Sequence, residues 1–218
     1  MITTHQFLNK YPVSHDSEKL IVGTIHPHNH GSFAIPFFYG NVTSVWALLS
    51  EAFPKDLQRP LTLEGILKFL KRKKISVSDT IKVCDRKNPT ALDKDLIPIE
   101  LNNHIKDDIK NSQISEILFT SGFGKNNAFK LFYVDILGKK ITPEIKRNRQ
   151  ITLDKELFGR PIKLIVLYSP SGSSNVPLSR SKIYLDNKHK YEQSSRPVHD
   201  FKVDYYRFNF DGKLNSNH

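Results

Sequence analysis

The sequence predicts an α/β fold with a mostly parallel central sheet, and three observations carry that expectation. Predominantly apolar runs within 20–23, 116–120 and 161–168 have the length and composition of strands buried on both faces. Stretches with apolar residues at helical spacing lie between them, the alternation that gives a parallel sheet covered on both sides. The 218 residues, 38% of them hydrophobic, can bury a core without covalent staples.

The elements follow in chain order. Residues 4–10 are predicted as a first helix, ended by Pro12. Leu20, Ile21, Val22 and Gly23 form a buried strand, and a polar and aromatic loop runs on to Asn41. Asn41 or Thr43 can cap a helix carrying Val45, Trp46, Leu48, Leu49 and Phe53. Residues 63–73 repeat the helical pattern through Ile66, Leu67, Phe69 and Leu70, and 75–83 alternate as a strand with its flanking loop does. A short helix is expected at 103–111. The strand 116–120 leads through Ser121 and Gly122 into a helix over about 125–137, and 150–158 fit a local hairpin or loop. Residues 161–168, reading PIKLIVLY, are the clearest strand. Residues 196–210 close the chain as a helix with Val198, Phe201, Tyr205 and Phe208 on one stripe. No internal repeat occurs, so a single domain over 1–210 with a disordered tail at 211–218 is expected.

Charge and cysteine content narrow the function. Thirty-three Lys and Arg against 22 Asp and Glu give a net charge of +11, spread over several clusters. A dispersed basic surface on a folded domain suits a polyanionic partner, most commonly a nucleic acid. The lone cysteine, Cys84, excludes an internal disulfide, a four-cysteine zinc site and an iron–sulfur cluster held by this chain alone; it reads as a small buried apolar residue. No run approaches the ~20 apolar residues of a membrane span, so a cytoplasmic protein is expected, with no membrane partner.

Sites in parallel sheets form where loops leave the carboxyl ends of strands, which here selects the loops after Gly23, Thr120 and Tyr168. The first reads GTIHPHNHGSFAIPFFYGN and sets His26, His28 and His30 beside Phe33, Phe37, Phe38 and Tyr39. Histidine serves proton transfer, metal ligation or hydrogen bonding to a base, and exposed aromatics offer nucleobases a stacking face. The third reads SPSGSSN, a tight loop of small hydroxyl residues whose amides can face phosphates. The middle loop, SGFGK, is not a phosphate-binding loop of Walker type, since no Ser or Thr follows Lys125 at the required spacing; it is a strand-to-helix turn whose amides, with Lys125, can meet phosphate.

Together the first and third loops resemble the uracil-DNA glycosylase superfamily. A strand ending in Gly23, a loop containing Pro27, the stretch Phe38-Tyr39-Gly40-Asn41 and a helix bearing Trp46 are similar to its first motif, in the pattern of the mismatch-specific and hypoxanthine-type branches. Ser169-Pro170-Ser171-Gly172 resembles the second motif, and 75–81 and 117–121 resemble strands between them, so the likeness runs from Leu20 to Asn175. It implies a three-layer α/β/α fold around a mostly parallel four-stranded sheet. It also implies a cofactor-free monomer that flips a damaged, deaminated or mismatched base out of DNA and hydrolyses its glycosidic bond. By position, Phe38 would stack the base, with Tyr39, Asn41 and Pro27 beside it. His26 stands where the family holds water with Asn or Asp, and Ser169 where His or Asn often donates to the base; Asp79 is a reserve for water activation. Ser171, Gly172, Ser173 and Asn175 would enter the DNA, with Ser173 at the wedge position, while Arg180 and Lys182 would meet phosphates near the base-entry side.

Two other readings stay open. Replacement of the family residues by His26 and Ser169 is compatible with a catalytically silent nucleic-acid-binding relative. His26, His28 and His30 at alternate positions after a strand also fit a metal-dependent hydrolase, although His104 and His199 lie in no partner motif and no metal site is expected.

Overall fold

The described residues of this computed structural model, 1–40, 45–88 and 92–211, include eight strands: β1 (Ile2–Thr4), β2 (Lys19–Gly23), β3 (Ile75–Asp79), β4 (Ile81–Arg86), β5 (Leu96–Leu101), β6 (Glu116–Phe119), β7 (Gln150–Leu153) and β8 (Ile162–Val166). The chain divides into two units, Met1–Phe38 with Leu70–Leu167 and Tyr39–Phe69 with Tyr168–His218.

The first unit is built on a sheet of order β3-β2-β6-β8-β7, in which the first four strands are parallel and β7 is antiparallel at one edge. Alternate residues Leu20, Val22, Ile117, Phe119, Leu164 and Val166 pack with Ile105, Ile109, Phe129, Phe132 and Ile136. Ile21, Leu118 and Ile165 point to the other face and are buried too. At about 1.5–3 kcal/mol for each fully buried large aliphatic side chain, this double burial accounts for the predominantly apolar runs.

The structure corrects the four-stranded sheet to five strands plus a second sheet. Residues 150–153 do not fold back on themselves; Ile151 and Leu153 turn inward and the backbone pairs with β8. The second sheet is antiparallel, β1-β4-β5, and packs Ile81, Cys84 and Leu96 with Ile25 and Leu131. Cys84 is buried there as an apolar side chain. β5 was not anticipated: it is half exposed and carries Pro98, which an edge strand tolerates because no ladder N–H is needed there.

The helix expected at 4–10 is replaced by β1 and turns. Ile2, Thr3 and Thr4 are β-branched and alternate exposed, buried, exposed, while the His5 imidazole accepts the Phe7 and Leu8 N–H groups that a helix would use. Residues 75–83 split into β3 and β4, which belong to different sheets. The predicted helix at 125–137 begins only at Ala128 and passes into π-type turns over Leu131–Ile136. Asn126 delays it, lying in the left-handed region (φ 58°) with its amide tied to the carbonyls of Asp93 and Leu96.

In the second unit the helix Val45–Ala52 packs on the closing helix Pro197–Asp211, and Arg207 Nε donates to the Ala52 carbonyl at 2.8 Å. The predicted stripe on the closing helix is corrected. Phe208 is exposed, whereas Lys202, Val203, Tyr206 and Phe210 are buried. The helix is apolar on two sides: Phe210 stacks on Tyr206 and meets Phe53, while Phe201, Val198 and Tyr205 pack with Leu178 and Tyr184. Among the described residues no helix is long and apolar enough to cross a membrane. Of the tail predicted at 211–218, Asp211 is instead the last residue of the closing helix, and 212–218 lie outside the described residues.

Candidate functional site

In the first unit, three of the predicted site residues gather around a fourth that sequence reasoning missed. His5 lies with its ring centroid 4.8 Å from that of His26 and 5.3 Å from that of Phe38, and its Nε2 donates to Asp79 Oδ2 at 2.8 Å. Because His5 Nδ1 accepts from the Phe7 backbone N–H at 3.0 Å, the proton sits on Nε2, aimed at the carboxylate. Phe7 completes the cluster, 5.2 Å from His26 and 5.7 Å from Phe38. Nothing local marks His5 in the sequence; its partner Asp79 lies 74 residues away at the end of β3.

His26 is buried and both its ring nitrogens are engaged by backbone. Nε2 accepts the Gln6 N–H at 3.0 Å, and Nδ1 donates to the Pro27 carbonyl at 2.9 Å. The Nε2 bond requires the neutral ring, whereas the Nδ1–H donor is present in either protonation state. Burial, followed by the neighbouring His5, His30 and Arg86, brings its pKa down to about 4, although the bond to Pro27 works the other way. As arranged, His26 pins the loop to the N-terminal segment and has no lone pair turned to a water. Arg86, also missed and buried, supports the same loop by donating to the His26 carbonyl at 2.6 Å and to Thr3 Oγ1 at 3.2 Å.

Phe38 is only 1% exposed, so its ring is part of this aromatic core and not an open stacking face. Tyr39, the next residue, adopts φ 52°, a strained conformation for a bulky side chain. Pro27 is half-buried and His28 exposed, with His28 Nδ1 3.0 Å from Thr3 Oγ1. Asn41, predicted to bind the base, lies outside the described residues, as do both proposed helix caps. Among the described residues no three His, Cys, Asp or Glu side chains group as metal ligands.

A second carboxylate that the sequence reading passed over lies at the same end of the sheet. Asp93 Oδ1 accepts from Thr24 Oγ1 at 2.8 Å and Oδ2 from Asn127 Nδ2 at 2.8 Å, and the Ser121 hydroxyl also bonds it. Lys125, on the turn just before, is exposed.

In the second unit the predicted loop 169–175 is organised from beneath by Lys202. This side chain is 1% exposed, and its ammonium donates to the Ser174 hydroxyl at 2.7 Å, the Ser171 carbonyl at 3.0 Å and the Ser169 carbonyl at 3.3 Å. Three donors meet three neutral acceptors, and burial lowers the pKa to about 8. Ser171, Gly172 and Ser173 are exposed above it, with Ser171 and Ser173 hydroxyls 2.8 Å apart, and Ser169 is half-buried. Asn175 Oδ1 is buried without a hydrogen-bond partner. Arg180 and Lys182 are exposed, Lys182 pairing with Asp186 at 3.0 Å. Lys202 had a signal in the sequence: at helical spacing it falls between Val198 and Tyr205 on the predicted apolar stripe, where a charged residue calls for an explanation.

No protein-family model matches this chain. No curated protein matches it either. Among solved structures it is similar to the solution NMR structure of a protein from Methanosarcina acetivorans provisionally assigned as a uracil DNA glycosylase. The likeness covers 95% of this chain and 98% of that one at a TM-score of 0.51, with 19% sequence identity. At that identity the comparison shows the fold.

Proposed function

We propose that this protein is a DNA glycosylase, a single domain over 1–210 that flips a deaminated, damaged or mismatched base out of DNA and hydrolyses its N-glycosidic bond without a cofactor. The observation that carries the reading is the shared fold with the Methanosarcina acetivorans protein over nearly the whole chain, coupled to the position of the predicted loops at strand carboxyl ends. The charge of +11 supports a phosphate-bearing partner. In this reading the loop 26–40 contributes the base pocket, with Phe38 reaching the base when the aromatic cluster opens. Ser171, Gly172 and Ser173 contact the DNA backbone over the positive charge of Lys202. Excision requires donors for the departing base and a group that holds water.

The test is a panel of duplexes carrying uracil, hypoxanthine, hydroxymethyluracil or mismatches, incubated with excess protein and read by abasic-site formation. Release of at least one base is expected; release of none overturns the reading. A second reading, a relative that binds nucleic acid without catalysis, draws on the engagement of both His26 nitrogens by backbone. It predicts salt-dependent DNA binding with no base released.

A further inference from the structure

The strand order β3-β2-β6-β8 contains one reversal. From β2 the chain moves to β3 on one side, then crosses back to β6 on the other, so the connections from the paired carboxyl ends of β2 and β6 lead to opposite sides. Such a switch point leaves a crevice, because the loops following the two strands turn away in opposite directions, and ligands of α/β proteins bind there. In this chain the crevice is occupied by a carboxylate supplied from elsewhere in the sequence. Thr24, directly after β2, and Ser121, just beyond β6, both bond Asp93, and Asn127 bonds it from the start of the following helix. Asn126 fixes the Asp93 carbonyl as well, at 3.0 Å. The side chain is therefore held by both walls of the crevice.

The chemistry of its neighbours separates Asp93 from the alternatives. His26 has no free nitrogen, and Asp79 is engaged by His5. The donors to Asp93 are two hydroxyls and an amide, and the Arg86 guanidinium that holds the His26 carbonyl and Thr3 acts on the carboxylate through its charge. Two carboxylate oxygens offer about four acceptor positions, so one remains for a water. Burial pushes the Asp93 carboxyl up against the pull of those three bonds, and the Asp79 charge acts in the same direction.

Resting on the glycosylase reading above, we propose that Asp93 is the catalytic carboxylate that takes a proton from the attacking water. The water oxygen bonds C1′ of the flipped nucleotide while the C1′–N bond breaks, its electron pair leaving with the base. The water proton passes to the Asp93 carboxylate and then to the departed base nitrogen, so water and nucleotide become a free base and an abasic sugar. The competing role for Asp93 is a clamp that only holds its own turn in place.

The experiment measures single-turnover excision by the full chain, wild type and Asp93→Asn, on whichever duplex of the panel wild type cleaves, from pH 4.5 to 8. Asp93→Asn is expected to slow excision per folded molecule by about 100- to 10,000-fold, the span of a lost general base, while binding of the folded variant to an abasic-site duplex changes little. The wild-type rate should fall on the acid side, and that limb should vanish in the variant. A second variant, Asn127→Ala, removes one donor from the carboxylate and should move the limb to higher pH, a shift that a clamp would not produce. It keeps the assignment testable should Asp93→Asn not fold. An active wild type with Asp93→Asn within tenfold of it, or a limb unmoved in Asn127→Ala, overturns the assignment of Asp93 alone. A wild type inactive on every duplex overturns the glycosylase reading and this assignment with it.

Discussion

Replacing His26 by Asn should change how the fold responds to acid, and the structure sets both the sign and the size. At pH 7.5 the variant loses the buried ring's contacts with His5, Phe7 and His30 and risks stranding the Gln6 N–H. A buried donor left unpaired costs about 1–3 kcal/mol, so a loss of about 2 kcal/mol is expected. The wild type carries a liability that the variant lacks. Its imidazole has a pKa of about 4 when folded and 6.5 when unfolded, so between those values the unfolded chain binds more protons. The stability associated with neutral His26 is thus complete above pH 6.5 and drains away as the pH falls towards 4. A fully dry site with this shift would lose about 3 kcal/mol over the window, and screening by water at the loop edge reduces that to about 2 kcal/mol. The gap between wild type and variant should therefore nearly close by pH 4. Urea melts followed by circular dichroism at pH 7.5, 6 and 4.5 measure it, since titrations common to both proteins cancel in the difference. A gap constant within about 0.5 kcal/mol across that range would refute the neutral, doubly bonded His26.

Phe38→Ala should cost about 3–5 kcal/mol of stability, the range for a buried phenylalanine, whereas Phe38→Leu should cost about 1.5 kcal/mol or less. If Phe38 also stacks the base, the Leu variant still loses roughly ten- to hundredfold in excision, from a stacking contribution of about 1–3 kcal/mol; unchanged excision by a folded Leu variant removes Phe38 from the site. Lys202→Met exchanges three charge-assisted bonds for relief from burying a charge, a net loss of about 1–2 kcal/mol at pH 7. Because folding depresses the Lys202 pKa from 10.5 to about 8, wild type gains stability as the pH climbs through that interval, so the deficit of the variant should widen by pH 9.5; a narrowing deficit in urea melts contradicts the caged ammonium. Asp79→Asn weakens the buried bond from His5 and should lower stability by about 1.5–3 kcal/mol yet leave excision per folded molecule intact. Lost excision with unchanged stability would return Asp79 to the catalytic group.

The central parallel strands were legible because they are buried on both faces and carry apolar residues on consecutive positions, as at Leu164, Ile165 and Val166. The second sheet was not, since β4 and β5 are partly exposed, interleave Lys82, Asp85 and Glu100 with apolar residues, and are joined through register shifts that blur any alternation. Periodicity likewise could not tell that the closing helix is apolar on two sides, which misplaced Phe208. Among site residues, the aromatic and histidine loop announced itself by composition. His5 and Asp93 could not, because what distinguishes them is a partner distant along the chain: Asp79 for the one, Thr24 and Asn127 for the other. Composition suggested histidine as the titrating group, and burial has instead made His26 neutral.

The second unit is assembled from Tyr39–Phe69 and Tyr168–His218, with the whole of Leu70–Leu167 synthesised in between. The apolar face of Val45–Ala52, including the fully buried Trp46 and Leu49, thus emerges from the ribosome well before the helix at Pro197–Asp211 on which it packs. At about 5–20 residues per second the wait is roughly 7–30 s, far longer than the microseconds to seconds in which small domains fold. A nascent chain halted within Leu70–Leu167 presents that face without the closing helix, which opens it to aggregation and to chaperone capture during synthesis.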